Sequence, residues 1–237
     1  MKLHVETVSA EMMSLLVELM KLEELKAFRL VGGTALSLQF GHRKSVDIDL
    51  FAGGGTEPQG LPKIMDQYFG KSFELSSQNR NGIVARINGI KVDIVDWKVP
   101  FSQEPMLTHG IRMATAPDIF ASKCEAILDR KAEKDFVDIS MITSQFDLEQ
   151  LFITLKIRYH YITTGAISAF LLKRELIERD LTIQYLENYS FDFFADQVQR
   201  KVIDFEKSIE QRKQTETNDR EKKIQSLIDQ KRKKENP

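Results

Sequence analysis

The sequence predicts an α+β fold, with strands in the first half of the chain and helices filling the second. Three observations predict it. Apolar and polar residues alternate with period two from Ser45 to Phe51 and again on both sides of Asn88-Gly89, which is the signature of half-buried strands. From Thr115-Ala-Pro-Asp118 onward the pattern is helical, and no strand signal returns. The 237 residues, 42% of them hydrophobic, suffice for one substantial core with a helical appendage.

In chain order, residues 9–27 read as an amphipathic helix with Met13, Leu16, Val17, Met20 and Leu25 as its apolar stripe, capped by Ser9 or Thr7. Phe28–Val31 is a short strand that runs into Gly32-Gly33. Thr34–Phe40 is a brief helix ended by Gly41, Ser45–Phe51 a strand, and Ala52–Pro58 a glycine-rich loop. Residues 60–70 are helical. Asn88-Gly89 is a two-residue hairpin turn that pairs Ile87 with Ile90, Arg86 with Lys91, Ala85 with Val92, Val84 with Asp93 and Ile83 with Ile94. Residues 110–114 form one more strand. A helix runs from 115 to about Asp129, and helices continue from there with breaks near 130–134, 145–147, 163–165 and 188–191. The domain division that follows is a core over 1–114, a helical domain over 115–205 and a charged tail over 206–237, either a solvated helix or disordered.

Composition narrows the function. The formal net charge is −1, so the chain as a whole is no polycation for nucleic acid. The single cysteine, Cys124, rules out an internal disulfide and suits the cytoplasm. No apolar run approaches the length of a membrane helix and no signal-peptide pattern opens the chain, so no membrane partner is expected.

The chemistry gathers around Asp47 and Asp49. They alternate with Val46, Ile48 and Leu50, so both leave one face of a strand. Two adjacent carboxylates repel unless a cation sits between them, and a divalent metal is the usual answer. Gly32-Gly33 precedes a short helix, where backbone N–H groups can cradle phosphate. Hairpin register puts Asp93 on the polar face of its strand, while Asp96 has the opposite parity. Farther on, Lys123 and Arg130 share one helix face, as do Asp135 and Asp138. His42 lies between candidate residues without an assigned role, and Cys124 has no activating base in sight. Trp97, Tyr159 and Tyr161 are aromatics that either pack or stack on a base. The basic end Lys231–Lys234 is a solubilising tail or an electrostatic contact for RNA.

Two blocks of residues carry a family resemblance: Gly32-Gly33-Thr34 followed by Arg43-x-Ser45-x-Asp47-x-Asp49, and Lys123, Ala126, Arg130, Lys134-Asp135 and Asp138. In both, the chain resembles the AbiEii/AbiGii-type nucleotidyltransferase toxins of the polymerase-β-like nucleotidyltransferase superfamily. The resemblance implies a small mixed sheet with helices against it and a helical C-terminal region. It also implies transfer of a nucleoside monophosphate from an NTP and the toxin role in a toxin–antitoxin or abortive-infection system, with a cognate antitoxin as partner.

In that reading Asp47, Asp49 and Asp93 hold one or two Mg2+ ions, with Mn2+ able to substitute, and Asp93 doubles as general base. The amides of Gly32, Gly33 and Thr34 hold phosphates. Lys123 and Arg43 neutralise charge, and Ser45, Arg130, Lys134, Asp135 and Asp138 complete the nucleotide site. RNA, such as tRNA, is the expected acceptor. A nucleotide-binding toxin or regulator without transfer, or a nucleotidyltransferase for a small molecule, would share these motifs. Convergence of Asp47, Asp49 and Asp93 in an open cleft would favour an enzyme.

Overall fold

The computed structural model describes residues 2–186 and 188–235, with side chains described up to residue 228. The basic end Lys231–Lys234 therefore lies outside the described side chains. Ser9 caps the first helix, α1 (Ala10–Leu19), by accepting from Met12 N at 3.1 Å. This helix stops well before residue 27. Arg112 donates to the carbonyls of Met20, Leu25 and Phe28, so the chain past Leu19 gains a partner by leaving the helix. The buried stripe is Met12, Leu15, Leu16 and Leu19, one step around from the expected one, and Met13 and Val17 are only partly buried.

Next come β1 (Arg29–Leu30), α2 (Gly32–Phe40), β2 (Asp47–Ala52), α3 (Leu61–Phe69), β3 (Phe73–Asn79), β4 (Gly82–Ile87), β5 (Ile90–Asp96), β6 (Met106–Thr108) and β7 (Ile111–Met113). They form one mixed sheet in the order β3-β4-β5-β2-β1-β7-β6. β2 runs parallel to β5 and β1 parallel to β7, and the other pairings are antiparallel. The hairpin about Asn88-Gly89 has the register that alternation predicts, from Ile87 opposite Ile90 to Val84 opposite Asp93. β3 gave no sequence signal because it is an edge strand whose residues are almost all exposed, so no apolar alternation marks it. β6 is unmarked in the sequence for a similar reason: it is three residues long and none of them is buried.

The apolar positions of the central strands (Ile48, Leu50, Ile83, Ile87, Val92 and Ile94) join the core cluster with residues of the helices. α2 packs on β2, and α3 on β3 and β4. The second half supplies α4 (Ala116–Arg130), α5 (Glu133–Gln145), α6 (Leu148–Arg158), α7 (Thr164–Leu171) and α8 (Phe191–Glu235). α4 packs against α5 and α6, while α8 packs along α5 and then runs on with exposed side chains past residue 210. Among the described residues no helix is long and apolar enough to cross a membrane.

Residues 172–190 depart from the helical expectation. Apart from one short 3-10 turn, its described residues, 172–186 and 188–190, form an irregular strap. Buried Glu133, in the first turn of α5, holds it. The Glu133 carboxylate accepts from Arg179 Nε (2.9 Å), Asp180 N (2.7 Å) and Tyr185 OH (2.5 Å). Farther along, the strap pairs with the chain beside Arg43 through Lys44 N to Gln184 O (2.8 Å) and Leu186 N to His42 O (3.1 Å). A helix here would forfeit those bonds and leave a buried carboxylate without partners. Glu133→Ala is expected to cost about 2–4 kcal/mol in urea unfolding and to open the 172–190 segment to limited proteolysis; unchanged stability and protection would contradict this role.

Candidate active site

The site begins where β1 ends. Val31 is extended and donates its N–H to Asp49 O at 2.9 Å, and Gly32 then turns left-handed at φ +68° to start α2. A Cβ on Gly32 would lie 2.5 Å from Asp49 Oδ2, and one on Gly33 would collide with Arg43 Nη2. The double glycine thus makes room for a carboxylate on one side and a guanidinium on the other. No side chain caps α2, so its first-turn N–H groups are left for a ligand.

Asp47, Asp49 and Phe51 share the partly exposed face of β2. On parallel β5, Lys91 lies opposite Asp47, Asp93 opposite Asp49 and Val95 opposite Phe51. Asp49 and Asp93 are therefore neighbours on one face. Lys91 Nζ pairs with Asp93 Oδ2 at 2.8 Å, while Asp93 Oδ1 is buried without a partner. Burial, and next the charge of Asp93, push the Asp49 carboxyl up to about 6 against the pull of Lys123 and Lys91. This acid pair fits a hard divalent cation, because its donors are all oxygen, one oxygen is orphaned and their mutual repulsion would be relieved. Among the described residues no three acidic, histidine or cysteine side chains form a ready-made cage. Magnesium does not require one, since it commonly takes one or two carboxylates and completes its shell with phosphate oxygens and water. Asp96 is on the other face, buried, and accepts from Thr56 N at 3.1 Å.

Behind the acid pair runs a buried ladder of charge. Asp138 accepts from Arg43 Nε and Nη2, both at 2.8 Å, and from His42 Nε2 at 2.8 Å; Lys123 Nζ lies 2.7 Å away. Asp135 accepts from Lys123 Nζ at 2.7 Å and from Arg130 Nε and Nη2 at 2.6 and 3.0 Å. Burial works against ionising each aspartate, yet Arg43 and Lys123 hold Asp138 well below the usual carboxylate range, and Lys123 and Arg130 hold Asp135 below it. Burial likewise opposes the Lys123 ammonium, and Asp138 and Asp135 outweigh it. Burial depresses His42, which makes it the neutral member of the ladder.

One cleft of about 780 Å3 joins these parts, a volume suited to a nucleotide-sized ligand. Gly32, Gly33, Arg43, Ser45, Asp47, Asp49, Asp93, Lys123, Arg130 and Lys134 all line it. Three residues expected at the nucleotide do not. Asp135 and Asp138 are fully buried behind the wall, where they orient Arg43, Lys123 and Arg130. The Thr34 hydroxyl points away, bonding to Ser45 Oγ at 2.8 Å and to the Asp47 carbonyl, which leaves its backbone amide as its only link to a phosphate site. His42 is in the core, neither on the surface nor facing the cleft. Cys124 is buried with its thiol pushed well up by burial, as suits an inert side chain. Tyr159 is buried, Tyr161 bonds to Glu125 at the surface, and Trp97 lines the cleft. Sequence reasoning missed Lys91, which strand parity could have placed beside the aspartates, and the wall made by Asp180, Thr182, Ile183 and Gln184, for which no local signal exists.

A family model described as the nucleotidyl transferase AbiEii toxin of type IV toxin–antitoxin systems matches residues 14–230. The chain belongs to this family. As an AbiEii member it is a nucleotidyltransferase. An uncharacterized protein of Aquifex aeolicus is 29% identical over 152 residues, covering 59% of this chain and 70% of its own length. Among solved structures, JHP933 from Helicobacter pylori superposes with a TM-score of 0.56 at 16% identity, covering 89% of this chain and 98% of that one. A second Helicobacter pylori structure gives 0.56 at 17% identity, covering 88% and 95%. At such identities the likeness speaks for the fold.

The Asp49 shift makes a stability prediction. In the unfolded chain this carboxyl ionises near its ordinary value, whereas in the folded chain it ionises near 6. Folding is therefore penalised progressively as pH rises from about 4 to about 6, and the penalty stays constant above that. In metal-free buffer Asp49→Asn is expected to stabilise the fold by about 1–3 kcal/mol at pH 7, with the gain vanishing below about pH 4. Urea midpoints measured across that range test it, and a variant less stable than wild type at pH 7 would refute it.

Proposed function

We propose that this family member transfers NMP from an NTP to a hydroxyl of an RNA acceptor in a Mg2+-dependent reaction, acting in the cytoplasm as a toxin countered by a cognate antitoxin. One observation carries the reading: Asp49 and Asp93 lie in register at the foot of the uncapped α2 N-terminus, in a cleft that Lys123 also lines. Family membership supports NMP transfer and the toxin role. In this reading the chain divides into a core (1–114), a helical domain (115–205) and a tail (206–237).

Asp49 and Asp93, with Asp47 two residues away on the same face of β2, would hold the Mg2+, which supplies Lewis-acid stabilisation of phosphate oxygens when bound. The amides of Gly32, Gly33 and Thr34 bind the β- and γ-phosphates. Lys123 has two of its three donor directions occupied by Asp135 and Asp138, so its charge is held in place facing the triphosphate. Arg130 and Lys134 add charge at the cleft wall, and Arg43, clamped by Asp138, adds its field from behind Gly33. The Asp93 carboxylate, as general base, takes up the proton of the acceptor hydroxyl. A bond then forms between that oxygen and the α-phosphorus while the bond to the β-phosphate oxygen breaks, and pyrophosphate leaves against the cations.

Incubating the protein with total bacterial RNA, Mg2+ and each α-labelled NTP in turn tests this. Label is expected on one RNA class from one nucleotide, reduced at least about 10²-fold by Asp49→Ala. Label that persists in that variant, or appears on no RNA, would count against the reading. Asp93→Ala is expected to cost more activity per unit of stability lost than Asp96→Ala, because Asp96 holds the 52–58 loop through Thr56 rather than facing the cleft. Parallel rate and melting measurements compare the two.

A further inference from the structure

Trp97 is the only tryptophan of the chain, and it is 41% exposed although it is the largest apolar side chain available for burial. It is nevertheless held rigidly. Its indole Nε1 donates to Tyr159 OH at 3.0 Å, and that hydroxyl donates to Ser122 Oγ at 3.3 Å. Its backbone N–H donates to Ala52 O at 3.0 Å, and Phe51 stacks on its ring with centroids 5.7 Å apart and planes 24° from parallel. Lys98, the next residue, takes a left-handed φ of +59°, uncommon for a lysine. With Nε1 satisfied and Phe51 stacked against the ring, what the side chain offers the cleft is aromatic hydrocarbon.

Position gives that surface a purpose. Phe51 follows Asp49 by two residues on the same face of β2, about 7 Å along the strand. Phe51 and Trp97 line the same cleft as Asp49 and Asp93. The proposed phosphate-binding groups lie on α2 (Gly32, Gly33) and α4 (Lys123), whereas Phe51 and Trp97 stand at the C-terminal ends of β2 and β5. A flat, uncharged ring system suits this end, and each nucleobase has one.

We infer that Trp97 is the acceptor platform: the terminal base of a single-stranded RNA stacks on its exposed indole, which sets the ribose hydroxyl beside Asp93. The inference rests on the transfer reading and adds how the acceptor is recognised. It requires no base-specific hydrogen bond at the platform, so the stacking contact tolerates different bases.

Because the tryptophan is single, its emission reports the platform directly. The full-length protein is titrated with the oligoribonucleotide A8, with A8 whose 3′-terminal residue is abasic, and separately with each NTP alone. The platform predicts quenching by A8, at least about fivefold weaker affinity for the abasic oligomer, and little quenching by NTP. In the label-transfer assay Trp97→Leu is expected to raise the RNA KM about tenfold with the NTP KM within about twofold, and Trp97→Phe to restore most of the loss. Quenching by NTP but not by A8 would overturn the inference and assign the ring to the incoming nucleotide. Quenching by a cationic aminoglycoside but not by A8 would overturn it in favour of a small-molecule acceptor. Label transfer intact without quenching by A8 defeats the platform alone. Quenching by A8 with no label transfer defeats the transfer reading and leaves RNA stacking on Trp97 in place.

Discussion

The rest of the structure depends on the buried ladder Arg43–Asp138–Lys123–Asp135–Arg130. It joins three parts of the chain far apart in sequence: the turn before β2, α4 and α5. Burying charge is costly, and removing one member of such a set leaves its partners uncompensated, typically at about 3–5 kcal/mol. The ladder therefore specifies how the helical region sits on the sheet. It also leaves a net positive charge behind the cleft, with three cations against two carboxylates. Gly33 is the concession the backbone makes to it, since a side chain there would occupy the place of the Arg43 guanidinium.

At the acid pair the balance is reversed. Asp49 and Asp93 are held side by side, and Lys91 compensates only one oxygen of Asp93. Burial first, and then the charge of Asp93, raise the Asp49 carboxyl. A protein selected for stability alone would place a neutral residue there; the proposed cation and phosphate site accounts for the carboxylates that stand there instead. The cationic ladder and the acid pair are thus two halves of one electrostatic device, one complete in itself and the other open to a ligand.

The remaining walls come from segments with little regular structure. The strap over 172–190 is pinned by Glu133 and by backbone pairing beside Arg43, and it presents Thr182 and Gln184 to the cleft. Trp97 stands just after β5, fixed by Phe51 and Tyr159. Both walls are held by a few polar bonds from rigid elements, so the cleft is shaped by loops on a scaffold that does not itself need to move.

The residue pattern by itself determined the face shared by Asp47 and Asp49, the hairpin register that carries Asp93, the end of α2 at Gly41 and the start of α4 at Thr115. Each depends on a period, a turn dipeptide or a cap within a few residues, and such local rules survive folding. Family membership was legible for the same reason, in two compact motif blocks. Only the tertiary structure decided that Asp135 and Asp138 lie behind the wall instead of on it, that α1 yields at Leu19 to the carbonyl-binding Arg112, that residues 172–190 abandon helix for Glu133, and that one aromatic of three reaches the cleft. Those outcomes rest on partners tens of residues away, and a buried charge or an unpaired carbonyl outweighs any local preference for helix or surface.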